Sequence, residues 1–335
     1  MGKQSEKIVW VQCARGLTIS LVVLGHMLFG VEGAVGIDPT VFLYATTPLA
    51  MFRMPLFFFV AGIFAWRTMA RPADTFLNRT IMQLLWVYLL WSFIHWAIKV
   101  PFGSLGNHAM PPEAILQIVY EPIDVLWFIY VLIVFYLATW LTRWVPPFVM
   151  VALAATIAAA PYEPDLKWLI RASNMYVYFL MGYAGSELVL AYGARVRRWY
   201  AVVMVPAFAV LAGGLVALDI WQDHTVWFLA ACTGIVAMSC FCIAVAGTRF
   251  GDLLRFLGDR SLPIFVGHTI VGPTSRVLLV KGGVTSDPLV LVVVCTVLAI
   301  ALPVAGAILA DRIGLSWLFK KPDWFAIPFG AAEAK

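Results

Sequence analysis

Ten runs of about twenty mostly apolar residues, joined by short connectors that hold nearly all of the charge, dominate this 335-residue chain. A run of that length matches the hydrocarbon thickness of a bilayer when it is helical, at about 1.5 Å of rise per residue. The candidate spans cover about 10–31, 41–66, 77–100, 123–142, 146–161, 168–191, 199–218, 226–247, 262–280 and 288–310. The fifth is the weakest, because it is short and opens on Pro146-Pro147. Hydrophobic residues make up 62% and charged residues 12%. Soluble domains hold about a quarter charged residues, so lipid is the solvent for much of this surface. The reading is an all-α integral membrane protein with about ten transmembrane helices.

The net charge of +5 could suggest a nucleic-acid partner, but no basic stripe on one solvated face is visible. The cations serve orientation instead. With the N-terminus inside, 17 of the 23 Lys and Arg lie on the cytoplasmic side, five lie outside (Lys99, Lys167, Arg171, Arg276 and Lys281), and Arg53 lies within a span. This bias satisfies the positive-inside rule and places both termini in the cytoplasm. A cleaved leader is not expected, since Arg15 and His26 interrupt the first apolar run. The chain reads as one transmembrane domain over 1–335, with helices from about 10 to 310, no internal repeat and no separate soluble domain. The five cysteines lie in or beside apolar runs, without a paired zinc-type spacing, and read as small packing residues. Trp86, Trp91 and Trp96 read as interfacial or packing aromatics.

Ionisable groups inside spans are costly, and each is a functional candidate. Arg15 and His26 are eleven residues apart, about three turns, so they share one face of the first helix at an axial separation of roughly 16 Å. A guanidinium at a cytoplasmic mouth can fork onto phosphates, and a buried neutral imidazole can take a proton from a hydroxyl. Either residue alone also has a structural reading, as an orientation charge or an interhelical hydrogen bond. Arg53, near the middle of the second helix, needs a carboxylate, an anion or water, and Pro55 frees a backbone carbonyl beside it. His268 lies about two turns into the ninth helix. Glu121 and Asp124, at the outer end of the fourth, could pair with a buried arginine or be solvated. His95, His108 and His224 are left without a role. No His/Asp spacing on one helix face supports a metal site.

Four segments together resemble the membrane-bound acyltransferase family 3: Arg15 and His26 in the first helix, Phe52-Arg53-Met54-Pro55-Leu56-Phe57-Phe58 with Gly62 in the second, Leu126-Trp127-Phe128, and Ser261 through His268. The resemblance runs from about residue 8 to 310. It implies transfer of an acyl group, commonly acetyl, from cytoplasmic acyl-coenzyme A to a hydroxyl of a glycan or lipid-linked saccharide. By resemblance His26 is the general base, Arg15 anchors coenzyme A phosphates, and His268 orients donor or acceptor. Where relatives often carry two basic residues three apart after the second helix, Arg79 stands with Met82 three residues on. Val125 occupies a position that is polar in many relatives. Arg53, where many relatives have histidine, is similar to the glucan succinyltransferase branch and could hold a succinyl carboxylate.

The expectation is thus a multi-pass O-acyltransferase of the cell inner membrane, in the class transferring groups other than aminoacyl groups. Its catalytic residues are His26, Arg53 and His268, and its donor-binding residues are Arg15 and Arg79. Acetyl- or succinyl-coenzyme A is a substrate, with no permanently bound cofactor, no metal and no nucleic-acid partner. The competing class is a transporter using intramembrane Arg and His for anion or proton coupling, against which stands the lack of an inverted repeat. A scaffold that lost the chemistry would leave the site residues dispensable. The acceptor and the oligomeric state are not readable from the chain.

Overall fold

The computed structural model describes residues 2–103, 110–159, 167–193 and 195–328. His108, Lys335 and positions 160–161 of the fifth expected span lie outside them. The described residues are helical or irregular, with no strand. That is the outcome required when backbone polar groups must be satisfied without water.

In chain order the helices are α1 (Gly2–Val35), α2 (Pro39–Met69), α3 (Ala73–Phe102, interrupted by a π-helical turn at Leu77–Ile81), α4 (Trp127–Leu141), α5 (Pro147–Ala159), α6 (Lys167–Ala184), α7 (Ser186–Gly193), α8 (Trp199–Ala217), α9 (His224–Val245), α10 (Arg249–Asp259), α11 (Ser261–Lys281) and α12 (Pro288–Arg312). Eight are long and apolar enough to cross a membrane: α1 to α4, with α4 extended back to Asp124, and α8, α9, α11 and α12. The protein is an all-α integral membrane protein. The two other expected spans fall to α5, of 13 residues, and to α6 with α7. Thirteen residues reach only about 20 Å, short of a roughly 30 Å core. Because α5 and α6 pack as consecutive helices, counting both or neither leaves the direction of every later helix unchanged.

Glycine sets the closest helix contacts. A Cβ on Gly62 would strike the Phe179 carbonyl, and one on Gly182 would strike that of Phe59, so α2 and α6 touch backbone to backbone. Such close approach is the usual device where helices gain little from excluding lipid. The same holds for Gly16 of α1 and Gly258 of α10, which abut Leu254 and Gln12 carbonyls. Helix α10 was expected only as a charged connector. It is an amphipathic helix capped by Thr248, whose hydroxyl accepts from the Gly251 N–H at 3.1 Å, and it buries Gly251, Leu254 and Gly258.

Residues 316–327, after α12, form a strap. Side chains of α3 hold its backbone. Trp86 Nε1 donates to the Trp317 carbonyl (2.7 Å) and Trp91 Nε1 to that of Leu318 (2.8 Å). Gln83 donates to the Phe319 carbonyl (2.9 Å) and accepts from the Lys321 N–H (3.0 Å). Asn78 does the same for Ile327 at 3.1 and 2.8 Å. Two of the three tryptophans read as interfacial are therefore fasteners, and Trp96 likewise donates to the Pro112 carbonyl at 2.7 Å.

Candidate functional site

Three of the four sequence segments meet around one side chain. Phe128 packs on Phe57 (centroids 4.7 Å), Phe58 (4.8 Å) and Phe265 (5.3 Å), which joins α4 to α2 and α11. Tilted and edge-on aromatic pairs at these spacings hold their elements in register. Arg53 and His268 sit on the helices so fixed.

Helices α1 and α11 start at the same end of the bundle, and their polar residues pair in order along it. Arg15 Nη2 donates to Ser261 Oγ at 3.0 Å. Further along, the rings of His26 and His268 lie 5.1 Å apart, centroid to centroid, tilted by 47°. One turn beyond His26, the guanidinium of Arg276 lies against Gly30, where any Cβ would collide with it. Arg276 was expected among the outer connector charges. It lies inside α11 and is 6% exposed, a correction the helical stripe Ser261, Phe265, His268, Gly272, Arg276 explains.

His268 is fully buried. Its Nδ1 sits 2.7 Å from the Phe265 carbonyl and 3.1 Å from that of Ile264. Carbonyls only accept, so Nδ1 carries a proton, and the second ring nitrogen, Nε2, is buried with no hydrogen-bond partner among the described residues.

Arg53 projects from α2 onto the α1 backbone. Its guanidinium occupies the space a Cβ at Gly25 would take, next to His26 in sequence. Nη1 is buried with no hydrogen-bond partner among the described residues, and none of their carboxylates forms an ion pair with this guanidinium. A buried charge is normally paired or placed to meet an anion. The carboxylate alternative for Arg53 is therefore unfilled among the described residues.

Two cavities meet at His26. The larger, about 820 Å³, lies between α1, α3 and α11 and includes Met27, Phe29, Ile98, Phe102, Ile270 and Leu278. The smaller, about 280 Å³, is lined by His26, Glu121, Asp124, Trp127, Trp168 and Arg171, with Pro122 and Val125. Both lie beyond His26 from Arg15, toward the opposite end of the bundle. Asp124 is ion-paired with Lys99. Its backbone is left-handed (φ 48°), a conformation that aspartate tolerates better than most residues. Of the open alternatives for Asp124, the partner proves to be a lysine. Arg171 lies over the Trp127 ring at 4.9 Å.

His26, His268 and Arg53 are thus brought together. Arg15 sits toward the starting end of α1, partly buried against Ser261, and Arg79 is exposed on the π-helical turn of α3 at that same end. His95 is a buried histidine that sequence reading left without a role: its Nε2 donates to the Val266 carbonyl at 2.8 Å, two residues before His268. Gly25, Lys99, Trp168, Arg171 and Arg276 were missed as site residues. Among the described residues no group of three His, Cys, Asp or Glu is arranged to hold a metal ion.

Comparison with known proteins gives the family. The "Inner membrane protein YcfT" of Escherichia coli (strain K12) is 24% identical over 294 residues, covering 79% of this chain and 80% of its own. No solved structure matches. The family model for an "Acyltransferase domain" (acyltransferase 3) matches residues 8–308, which include all four segments and every helix that lines the two cavities. The chain, a multi-pass membrane protein with a histidine pair and a half-buried arginine at its centre, belongs to the acyltransferase 3 family.

Proposed function

We propose that the protein is an O-acyltransferase of the cell inner membrane that moves an acyl group, acetyl or succinyl, from cytoplasmic acyl-coenzyme A to a hydroxyl of a glycan or lipid-linked saccharide. The observation that carries this reading is the Arg53 guanidinium, whose buried Nη1 has no hydrogen-bond partner among the described residues and lies over Gly25, the residue before His26. A base and an unpartnered cation at one point form the constellation that acyl transfer needs.

In this reading both termini face the cytoplasm, as the 17-to-5 charge bias supports. The donor enters from the end that carries Arg15 and Arg79, whose guanidiniums meet the coenzyme A phosphates. The pantetheine arm spans the roughly 16 Å from Arg15 to His26. An acceptor hydroxyl reaches His26 from the opposite end through the cavities.

His26 takes the hydroxyl proton as the oxygen attacks the thioester carbon. Arg53 stabilises the oxyanion that develops on the carbonyl oxygen. The intermediate collapses with cleavage of the C–S bond, and the departing thiolate takes the proton from His26. No covalent enzyme intermediate is required. His268 supports the base as a positioning residue: its buried ring packs on that of His26, centroids 5.1 Å apart, and limits the orientations that His26 can take. Both products leave by the routes of entry.

The test is turnover by purified protein in lipid nanodiscs. Free thiol should appear from acetyl- or succinyl-coenzyme A when an acceptor glycoside is present, and His26→Ala should abolish it. Turnover that survives His26→Ala would sink the general-base assignment. Electrogenic uptake of an anion without thiol release would favour the transporter class instead.

A further inference from the structure

The two cavities differ in chemistry, and His26 stands between them. The larger one is lined mainly by apolar side chains. Three of them at its edge, Phe29, Phe102 and Leu278, come from α1, α3 and α11 and are 49%, 61% and 68% exposed. Such a rim is stable against acyl chains and unfavourable against water. Glu121 and Asp124 line both cavities where they adjoin; of the other charged groups in the larger one, Lys99 pairs with Asp124 and Arg276 lies back against Gly30.

The smaller cavity is polar and aromatic. Trp127 and Trp168 supply two indole surfaces, and Glu121, Asp124 and Arg171 supply acceptors and donors. Tyr130 meets Trp168 edge-on at 5.1 Å, which fixes that ring. Arg171 is held over Trp127. The Trp168 Nε1 atom is buried with no hydrogen-bond partner among the described residues, a donor left for a ligand oxygen. Its volume falls at the low end of small-molecule pockets, room for about one ring.

We infer that these two cavities form one bipartite site for an amphiphile, resting on the reading of His26 as the base. A compact hydroxylated head group, about one sugar ring, occupies the small polar chamber with a hydroxyl at His26. Its apolar chain lies in the large chamber and leaves between Phe29, Phe102 and Leu278 into the bilayer. Trp168 and Arg171 then select the head group, and the acceptor is held by the membrane itself. A water-soluble glycan would leave the large apolar chamber without an occupant.

The site is tested by photolabelling of the full-length protein in phosphatidylcholine nanodiscs. Two probes are used: dodecyl glucoside with a diazirine at the chain terminus, and dodecyl glucoside with the diazirine on the sugar. The chain probe should label α1, α3 or α11 near Phe29, Phe102 or Leu278. The sugar probe should label residues 121–127 or 168–171. Unlabelled dodecyl glucoside should displace both probes, and free glucose at the same concentration should displace neither. Sugar labelling elsewhere, or equal displacement by free glucose, overturns the inference. Trp168→Phe keeps a ring and removes the N–H; it should weaken saturable sugar labelling about tenfold while the chain label persists. Unchanged sugar labelling in that variant also overturns the inference. Coenzyme A release from the same samples reports separately on catalysis. Labelling as expected without release supports the bipartite site and removes only the catalytic reading. Release with soluble glycosides as efficient as with alkyl glycosides overturns the amphiphile and keeps the catalysis.

Discussion

The guanidinium of Arg53 rests on Gly25, in the space that the side chain of any other residue would fill. A second-helix cation is thereby placed at the residue preceding the first-helix histidine. Gly25→Ala should push Arg53 away from the reacting centre while leaving both ionisable groups in the chain. The expected outcome is a fall of about 10²-fold in kcat, the usual cost of losing one oxyanion donor. Donor binding at Arg15 should persist, which is checked by coenzyme A titration of the same protein. Full turnover in Gly25→Ala would remove Arg53 from the chemistry.

Arg53 also allows a donor test. Arg53→His, assayed with acetyl- and succinyl-coenzyme A, should lower turnover of both donors by a similar factor if the guanidinium serves the oxyanion common to both. A selective loss of the succinyl donor would move Arg53 to a carboxylate-binding role.

On the proposed reading His268 acts through His26, so its removal should cost less than removal of His26. His268→Ala should lower kcat by roughly 10- to 10²-fold with little change in donor KM. Steady-state thiol release at saturating donor measures it. A loss confined to KM would make His268 a binding residue.

Asp124 combines a charge with a left-handed backbone, and two substitutions separate them. Asp124→Asn removes the partner of Lys99 but tolerates the backbone. Asp124→Ala removes both. The alanine variant should therefore be the less stable of the two, by about 1 kcal/mol. Thermal unfolding in one detergent is sufficient to compare them, and equal stability would show that the turn imposes no strain.

Glycines of this protein should divide sharply by location. Gly62→Ala and Gly182→Ala force a methyl into a facing backbone and should each destabilise by about 1–3 kcal/mol. Gly213→Ala and Gly214→Ala, inside α8 with nothing within 4 Å of the added methyl, should be neutral or stabilising by several tenths of a kcal/mol. Thermal unfolding of the four variants checks the division.

Much of the frame was legible because the bilayer imposes a length and a polarity on each span. Helices such as α9 and α12 follow their apolar runs to within a few residues, and the eleven-residue spacing of Arg15 and His26 correctly placed them on one face of α1. The spans that are not both long and apolar enough, α5 and α6, are those where the apolar run is short or opens on charge. What stayed hidden was pairing between helices. The meeting of His26 with His268, and of Arg53 with Gly25, depends on how helices far apart in sequence pack. Arg276 was placed outside because charge near the end of an apolar run resembles a connector charge. Counting on from His268 in steps of four would have put it on the buried stripe. Helix α10 was missed because its charges outweighed its Phe-Leu-Leu-Phe spacing.

The strap after α12 is held through its own peptide groups, and the side chains that hold it belong to α3. Mutational sensitivity is therefore divided unevenly between the two partners. Replacing Lys320 or Asp323 leaves every one of these bonds intact, so the polar positions of 316–327 can drift in sequence, whereas Phe319, Trp324 and Phe325 also pack their rings on Trp91 and Trp86. Replacing Asn78, Gln83, Trp86 or Trp91 removes an anchor outright. A mutational scan of the protein would show a strap that is permissive at its polar positions and restrictive at its aromatic ones, lying along a restrictive helix.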